Sequence, residues 1–384
     1  MTSFLNFTWY YIVVFLIVLT VLVFIHEMGH FWVARRNRVR IEVFSIGFGP
    51  ELYGWTDRLG TRWKISAIPL GGYVKMFGEN AVPGDAEEER PLTPEERAVS
   101  FHEKSLRQRA AIVAAGPIAN FLLAIVLFAG LFAFVGKPSA PFAAVGAVQP
   151  ESAAAEAGLQ PGDRILSIDG EAITWFEDLR RIVSAKPDVR LELLVRRDGA
   201  EMVVAATPKR HTVDEESGGT REIGRLGVSP DPEQREYEPV DPLTAAWMGV
   251  ERTVGMTGQI LSYLGEIITG SRTTDELGGP IRIAQISGQM AKGGLVNLIL
   301  FMAFLSINLG LINLFPIPVL DGGHLLFYAF EAVLGRPLSR RIQEYSLRFG
   351  MTLVLLLMIF VTWKDLRYLE EKYKVFESIK QLIT

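Results

Sequence analysis

Apolar residues run unbroken over residues 9–25, with Thr20 the one exception. Continued as helix through Ala34, this segment is long enough to cross a bilayer. Apolar stretches over roughly residues 110–135, 295–320 and 349–363 predict three further spans, the last being the shortest. Between the first two spans the pattern changes. Residues 41–55 and 62–76 read as strands broken by glycine turns. Between the second and third spans, residues 145–231 alternate strand-like runs with turn signals. Residues 152–159 read as a short helix, 164–170 as a strand and 176–185 as an amphipathic helix. Residues 189–196 and 201–207 form a hairpin around Arg197-Asp198-Gly199. Over residues 241–270, Trp247, Val250, Val254, Ile260, Leu261, Leu264 and Ile268 draw an apolar stripe along one helix.

Composition agrees with a membrane core carrying a soluble insert. The chain has 384 residues, 49% of them hydrophobic, and a mean hydropathy of +0.23. The net charge of −4 and pI near 5.9 argue against a nucleic-acid partner. With no cysteine, disulfides and thiolate-held metals are excluded. The first eight residues carry no Lys or Arg and no small-residue cleavage site follows the apolar run. The first span is therefore expected to stay in the mature protein.

Charge sets an expected orientation. Arg35, Arg36, Arg38 and Arg40 follow the first span, Lys104, Arg107 and Arg109 precede the second, and Arg336, Arg340 and Arg341 lie between the third and fourth. Positive charge marks the cytoplasmic side. Both termini and the insert then face the opposite side. Residues 85–97, rich in charge and proline, read as a solvated loop.

The candidate chemistry sits where it is costly. His26-Glu27-Met28-Gly29-His30 closes the first apolar run. Ionisable groups at the end of a membrane span call for a functional reason. His26 and His30 are one helical turn apart, so they share a face and can hold one metal ion. Glu27 lies one step around the helix, placed to serve as a general base. Two ligands are too few for a catalytic zinc site, which takes three from the protein. The third candidate is Asp321. It follows Pro316 and Pro318, which cannot continue a regular helix, and precedes Gly322-Gly323, which lets the chain turn. An N-cap role for Asp321 is the alternative, and His324 is a rival ligand. Asn120 and Asn308 are polar positions within spans; interhelical hydrogen bonding is the plain explanation. Asn313 lies closer to the bend and to Asp321.

Taken together these residues resemble the site-2 protease family of intramembrane zinc metalloproteases, and within it the bacterial regulator of sigma-E protease type. The elements that carry the resemblance are His26 to His30, Gly71-Gly72-Tyr73-Val74-Lys75-Met76, Gly116-Pro117-Ile118-Ala119-Asn120-Phe121, a PDZ-like insert, Gly278-Gly279-Pro280-Ile281 and the run from Asn313 to Gly322. The resemblance implies a polytopic α-helical membrane protein of about four transmembrane helices, with a membrane-associated β-hairpin sheet and an inserted PDZ domain. It implies residues 1–136 and 295–384 as the two parts of the membrane core, 137–235 as the PDZ domain and 236–294 as amphipathic connector helices. Within the first part, the β-hairpin region covers 41–79 and a cytoplasmic loop 80–109. It further implies Zn2+ held by His26, His30 and Asp321, Glu27 as catalytic base, and Asn313, Gly71, Gly72 and Tyr73 as substrate-positioning residues. The expected substrates are single-span membrane proteins, such as an anti-sigma factor or a signal-peptide remnant. A peptide or a substrate ectodomain is expected at the PDZ domain, in a bacterial inner membrane with the active site near the cytoplasmic side. One departure is expected: the best-known enterobacterial members carry two PDZ domains in tandem, and this insert has room for one. A metal-ion transporter and an inactive PDZ scaffold are the alternatives. Neither has a use for Glu27 beside an intact ligand set, and no inverted repeat typical of transporters is visible.

Overall fold

The computed structural model describes residues 2–78, 92–214, 220–231, 235–271 and 278–373. In chain order the elements are α1 (Thr2–Arg36), β1 (Ile41–Thr56), β2 (Arg62–Met76), α2 (Pro94–Val99), α3 (Leu106–Phe134), β3 (Lys137–Pro141), β4 (Val145–Val148), α4 (Ala153–Glu156), β5 (Arg164–Ile168), β6 (Glu171–Ala172) and α5 (Phe176–Ser184). There follow β7 (Leu191–Arg197), β8 (Ala200–Ala206), β9 (Lys209–Asp214), β10 (Thr220–Arg225), β11 (Val228–Pro230), β12 (Arg235–Glu238), α6 (Pro242–Ile268), α7 (Pro280–Lys292), α8 (Leu295–Leu314), α9 (Asp321–Leu334) and α10 (Arg340–Tyr373). The chain divides into two compact units: Met1–Leu131 with Pro242–Thr384, and Phe132–Asp241.

Among the described residues, four helical segments are long and apolar enough to cross a membrane: Trp9–Arg36, Leu106–Phe134, Leu295–Leu314 and Arg341–Tyr368. The third is shorter than its hydrophobic pattern suggests. It stops at Leu314 because Pro316 and Pro318 cannot join it, and the chain turns through Phe315–Leu320 before α9.

The sheet of the first unit is richer than one hairpin. β1 and β2 each double back, so that residues 43–46 pair with 72–75 on one side and with 62–65 on the other. The far half of β1 also pairs with 62–66. The spatial order of the antiparallel segments is therefore 51–56, 62–66, 43–46, 72–76. Gly72–Met76 is an edge segment, and among the described residues no strand pairs along its outer side. A buried cluster anchors the sheet to the helices: Phe31 and Ala34 from α1, Ile41, Phe44, Val74 and Met76 from the strands, Phe101, and Ile112 and Val113 from α3.

The second unit has its own core. β6, β5, β7 and β8 form an antiparallel sheet in that order. Leu191, Leu193 and Val195 alternate inward along β7, and α5 lays Leu179, Ile182 and Val183 against the same core. Asp198 and Gly199 take positive φ in the β7–β8 turn, as a tight hairpin requires. The carboxylate of Asp163, buried, takes two hydrogen bonds of 2.7 Å from the Arg197 guanidinium. Among the described residues, three short antiparallel pairs join this sheet in the unit: β4 with β11, β3 with β12, and β9 with β10. The charged loop expected over 85–97 lies outside the described residues as far as residue 91. Its last part forms α2, whose Thr93 and Glu96 make a capping box.

Candidate metal centre

α1 and α3 approach closely enough to build a site between them. Gly29 of α1 faces Ala115 and Ala119 of α3 with no space for a methyl group, which brings the two backbones together. One helical turn apart on α1, His26 and His30 are both buried, their rings edge to face at 4.9 Å. Asp321 opens α9 and reaches the same point. His26 Nε2 and His30 Nε2 are 3.2 Å apart, and Asp321 Oδ2 lies 3.2 Å from the first and 3.5 Å from the second. Among the described residues this is the one group of three that could hold a metal ion.

The donor chemistry fits zinc. Ligand atoms about 2.0–2.2 Å from a tetrahedral ion stand about 3.3 Å apart, which matches the observed triangle. The protonation pattern agrees. His30 Nδ1 lies 2.9 Å from the Ile112 carbonyl, which can only accept, so Nδ1 carries the hydrogen. In the neutral ring Nε2 is then a bare lone pair, aimed at His26 and Asp321. Asp321 Oδ2 is buried and has no partner besides the two Nε2 atoms. Converging lone pairs of this kind repel one another unless a cation lies between them.

Asp321 is not a helix cap. Leu320 occupies the N-cap position of α9, and no side chain caps that end. His324, the rival ligand, stands apart from the metal-capable group and packs edge to face on Phe327 at 6.2 Å. Glu27 meets the sheet edge, with the Val74 backbone amide facing its carboxylate. Gly72 lies against Val23 and Glu27, where a Cβ would come within 3.4 Å of Glu27 Cγ. Gly71 has φ +106° and a Cβ there would press on the Phe48 ring. Tyr73 stacks on the same ring at 5.9 Å. Asn313 is half-buried on the last turn of α8.

Two features were not visible as site features in the sequence. Asn120, fully buried on α3, places Nδ2 3.0 Å from His26 Nδ1, so its interhelical hydrogen bond is made to a candidate ligand side chain. Gly116, one turn earlier, leaves room for both histidine rings. The hints in sequence were an amide within an apolar helix and the place of both residues in the Gly116–Phe121 run that carries the family resemblance.

A buried pair of helical histidines, a carboxylate from a distant helix and an adjacent glutamate define a metal-dependent hydrolase. The sequence comparisons make the class specific. The model of Peptidase family M50 matches residues 14–357. A Rhizobium meliloti protein named “Putative zinc metalloprotease” is 47% identical over 364 residues, covering 94% of this chain and 97% of its own. A counterpart in Agrobacterium fabrum with the same description is 47% identical over 360 residues, covering 93% and 95%. The regulator of sigma-E protease RseP of Escherichia coli is 34% identical over 449 residues, covering 91% of this chain and 97% of its own. That alignment is longer than this chain's 384 residues, so the relative carries residues that this chain lacks. Among solved structures, the PDZ domain of an SdrC-like protein from Listeria monocytogenes covers 25% of this chain and 95% of its own at 17% identity. Its TM-score of 0.19 is too low to argue from.

The chain belongs to Peptidase family M50, the site-2 proteases. It is a zinc metalloprotease, which sets aside the transporter and scaffold alternatives.

Proposed function

We propose that this enzyme hydrolyses peptide bonds within or near the transmembrane helix of single-span membrane proteins, as a step of regulated intramembrane proteolysis. The observation that carries the reading is the position of the site on helices with apolar outer surfaces. His26 and His30 lie inside the candidate span Trp9–Arg36. Ile17, Val126 and Ile359, on three of the four candidate spans, are 59%, 64% and 66% exposed. Large apolar surfaces of this kind suit lipid and not water. The arginine clusters support a site near the cytoplasmic face of a bacterial inner membrane, with both termini and the insert on the periplasmic side. A regulator of sigma-E protease among the relatives supports a membrane-bound regulator, such as an anti-sigma factor, as one substrate; a signal-peptide remnant fits the same chemistry.

In this reading His26, His30 and Asp321 hold the zinc. Bound zinc supplies a Lewis acid that activates water and polarises the scissile carbonyl. Glu27 takes the proton of the attacking water and delivers it to the leaving nitrogen. The backbone N–H of Val74 steadies the Glu27 carboxylate for both transfers. A helical substrate has its carbonyls tied into its own hydrogen bonds and must unwind before it can react. The outer side of Gly72–Met76 offers an unwound segment a strand to pair with, directly beside Glu27. Gly71, Gly72 and Tyr73 position it there, and Asn313 stabilises the developing oxyanion from the α8 end. The strand–helix order of the insert supports a single PDZ domain over residues 137–235, which takes a peptide or bars bulky ectodomains.

The test compares the membrane proteomes of cells carrying the wild-type enzyme and Glu27→Gln. Single-span fragments should accumulate uncut in the variant, while purified Glu27→Gln keeps its zinc. Cleavage at the wild-type rate by Glu27→Gln would remove the mechanism.

A further inference from the structure

The α3 segment from Ile112 to Asn120 meets both histidines. The Ile112 carbonyl accepts the Nδ1 hydrogen of His30 at 2.9 Å. His26 Nδ1 meets Asn120, whose backbone is pinned by a 2.7 Å hydrogen bond from Ser306 Oγ of α8 to the Asn120 carbonyl. The Asn120 carboxamide as it stands does not fit a zinc-holding His26, because of the atom it turns toward that ring. Its Nδ2 faces His26 Nδ1 at 3.0 Å, and its Oδ1 is buried without a hydrogen-bond partner. An N–H facing Nδ1 requires a bare Nδ1, and the neutral ring then places its hydrogen on Nε2. An Nε2–H cannot ligate a metal.

Turning the carboxamide by half a rotation reverses this. Oδ1 then accepts from Nδ1–H, and Nε2 becomes a bare lone pair facing His30 and Asp321. We propose that Asn120 is a positioning residue for zinc: its amide oxygen holds His26 in the Nδ1–H tautomer, as the Ile112 carbonyl holds His30. Partners of this kind orient ligating histidines and are worth about 10- to 100-fold in metal affinity. The inference rests on the zinc-protease reading and adds the residue that selects the ligand tautomer.

The test measures zinc affinity of the full-length protein in detergent by competition with a chromophoric chelator. Asn120→Leu removes the acceptor at similar volume and should weaken zinc binding by about 10- to 100-fold. Asn120→Asp keeps an acceptor, cannot donate when ionised, and should bind zinc at least as tightly as the wild type. The same samples, labelled with 15N-histidine, should show a protonated Nδ1 on His26 in the zinc form of the wild type and of Asn120→Asp. Wild-type affinity in a folded Asn120→Leu overturns the proposal. So does Asn120→Asp losing zinc tenfold or more, because that identifies the amide N–H as the working group. If Asn120→Leu does not fold, Asn120→Asp decides alone. Failure of the wild type itself to bind zinc is a separate outcome that strikes the zinc-protease reading.

Discussion

Gly116 on α3 and His30 on α1 stand so close that a side chain at residue 116 and the metal site exclude each other. A Cβ at Gly116 would overlap His30 Nε2 and reach within 2.8 Å of His26 Cε1. Neither ring can retreat far: both are buried, and His30 is tethered through Nδ1 to Ile112. Gly116→Ala is therefore expected to fold, since alanine suits a helix, but to hold zinc at least about tenfold more weakly, the scale of lost ligand orientation. Metal analysis of the purified variant after dialysis checks this. A full complement of zinc in Gly116→Ala would show that the rings move freely, contrary to the packing.

The edge segment makes a second demand. A Cβ on Gly72 would come within 2.7 Å of the Ser45 carbonyl, 3.2 Å of Val23 Cγ1 and 3.4 Å of Glu27 Cγ. The first neighbour is backbone inside the sheet and cannot give way. Gly72→Ala should push the segment off α1 and disturb the Val74 amide that faces Glu27. We expect zinc content to be unchanged and kcat/KM to fall at least about tenfold, equivalent to about 1.4 kcal/mol of transition-state stabilisation. Kinetics on a single-span substrate in detergent, paired with zinc analysis, separate this from a loss of metal.

The candidate ligand set, which the structure brings to one point, was legible in the sequence for a physical reason. The His26–His30 spacing is fixed by helix geometry alone, and Asp321 is marked by a proline break that local sterics enforce. Asn120 was visible as a polar residue in an apolar helix, but its partner was not. Which face of α3 meets α1 depends on the contact of Gly29 with Ala115 and Ala119, a tertiary fact without a local signature. The strands were legible as apolar runs. Their folding into four paired segments was not, because it depends on bends at Gly47 and Gly49, both at φ +88°, that let β1 double back. α9 was readable after its prolines and glycines. α7 was marked only by its leading Gly-Gly-Pro, since its packing depends on a carboxylate far along the chain.

That carboxylate is Asp365, buried on α10. It accepts the backbone N–H groups of Gly279 at 2.9 Å, Ile281 at 3.0 Å and Arg282 at 3.1 Å, and so closes the N-terminus of α7 from outside that helix. Asp365→Ala leaves these donors without their acceptor and should destabilise the helical unit by about 2 kcal/mol. Asp365→Asn keeps an acceptor, loses the charge that suits a helix N-terminus, and should fall between. Thermal unfolding of the detergent-solubilised protein checks the order. Equal midpoints for all three proteins would mean that α7 does not depend on this cap.

The insert should show a pH dependence of its own. Burial by itself would raise the Asp163 carboxyl, but the hydrogen bonds from Arg197 and from the Gln160 backbone amide, with the Arg197 charge, outweigh it and hold the group below the usual carboxylate range. A carboxylate with a lowered native pKa binds fewer protons folded than unfolded, so it stabilises the fold above the ordinary carboxylate range and loses that contribution as pH falls through and below it. Wild-type protein should therefore be cut by pepsin within residues 137–235 at rates that rise as pH drops from about 4, the ordinary value for aspartate. Asp163→Asn cannot ionise. It should be cut faster than the wild type near pH 4, and the difference should shrink as the pH is lowered further, once pepsin's own pH response is normalised on an unfolded substrate. A difference that grows toward low pH would have the wrong sign and would show that the Asp163–Arg197 pair does not stabilise the insert.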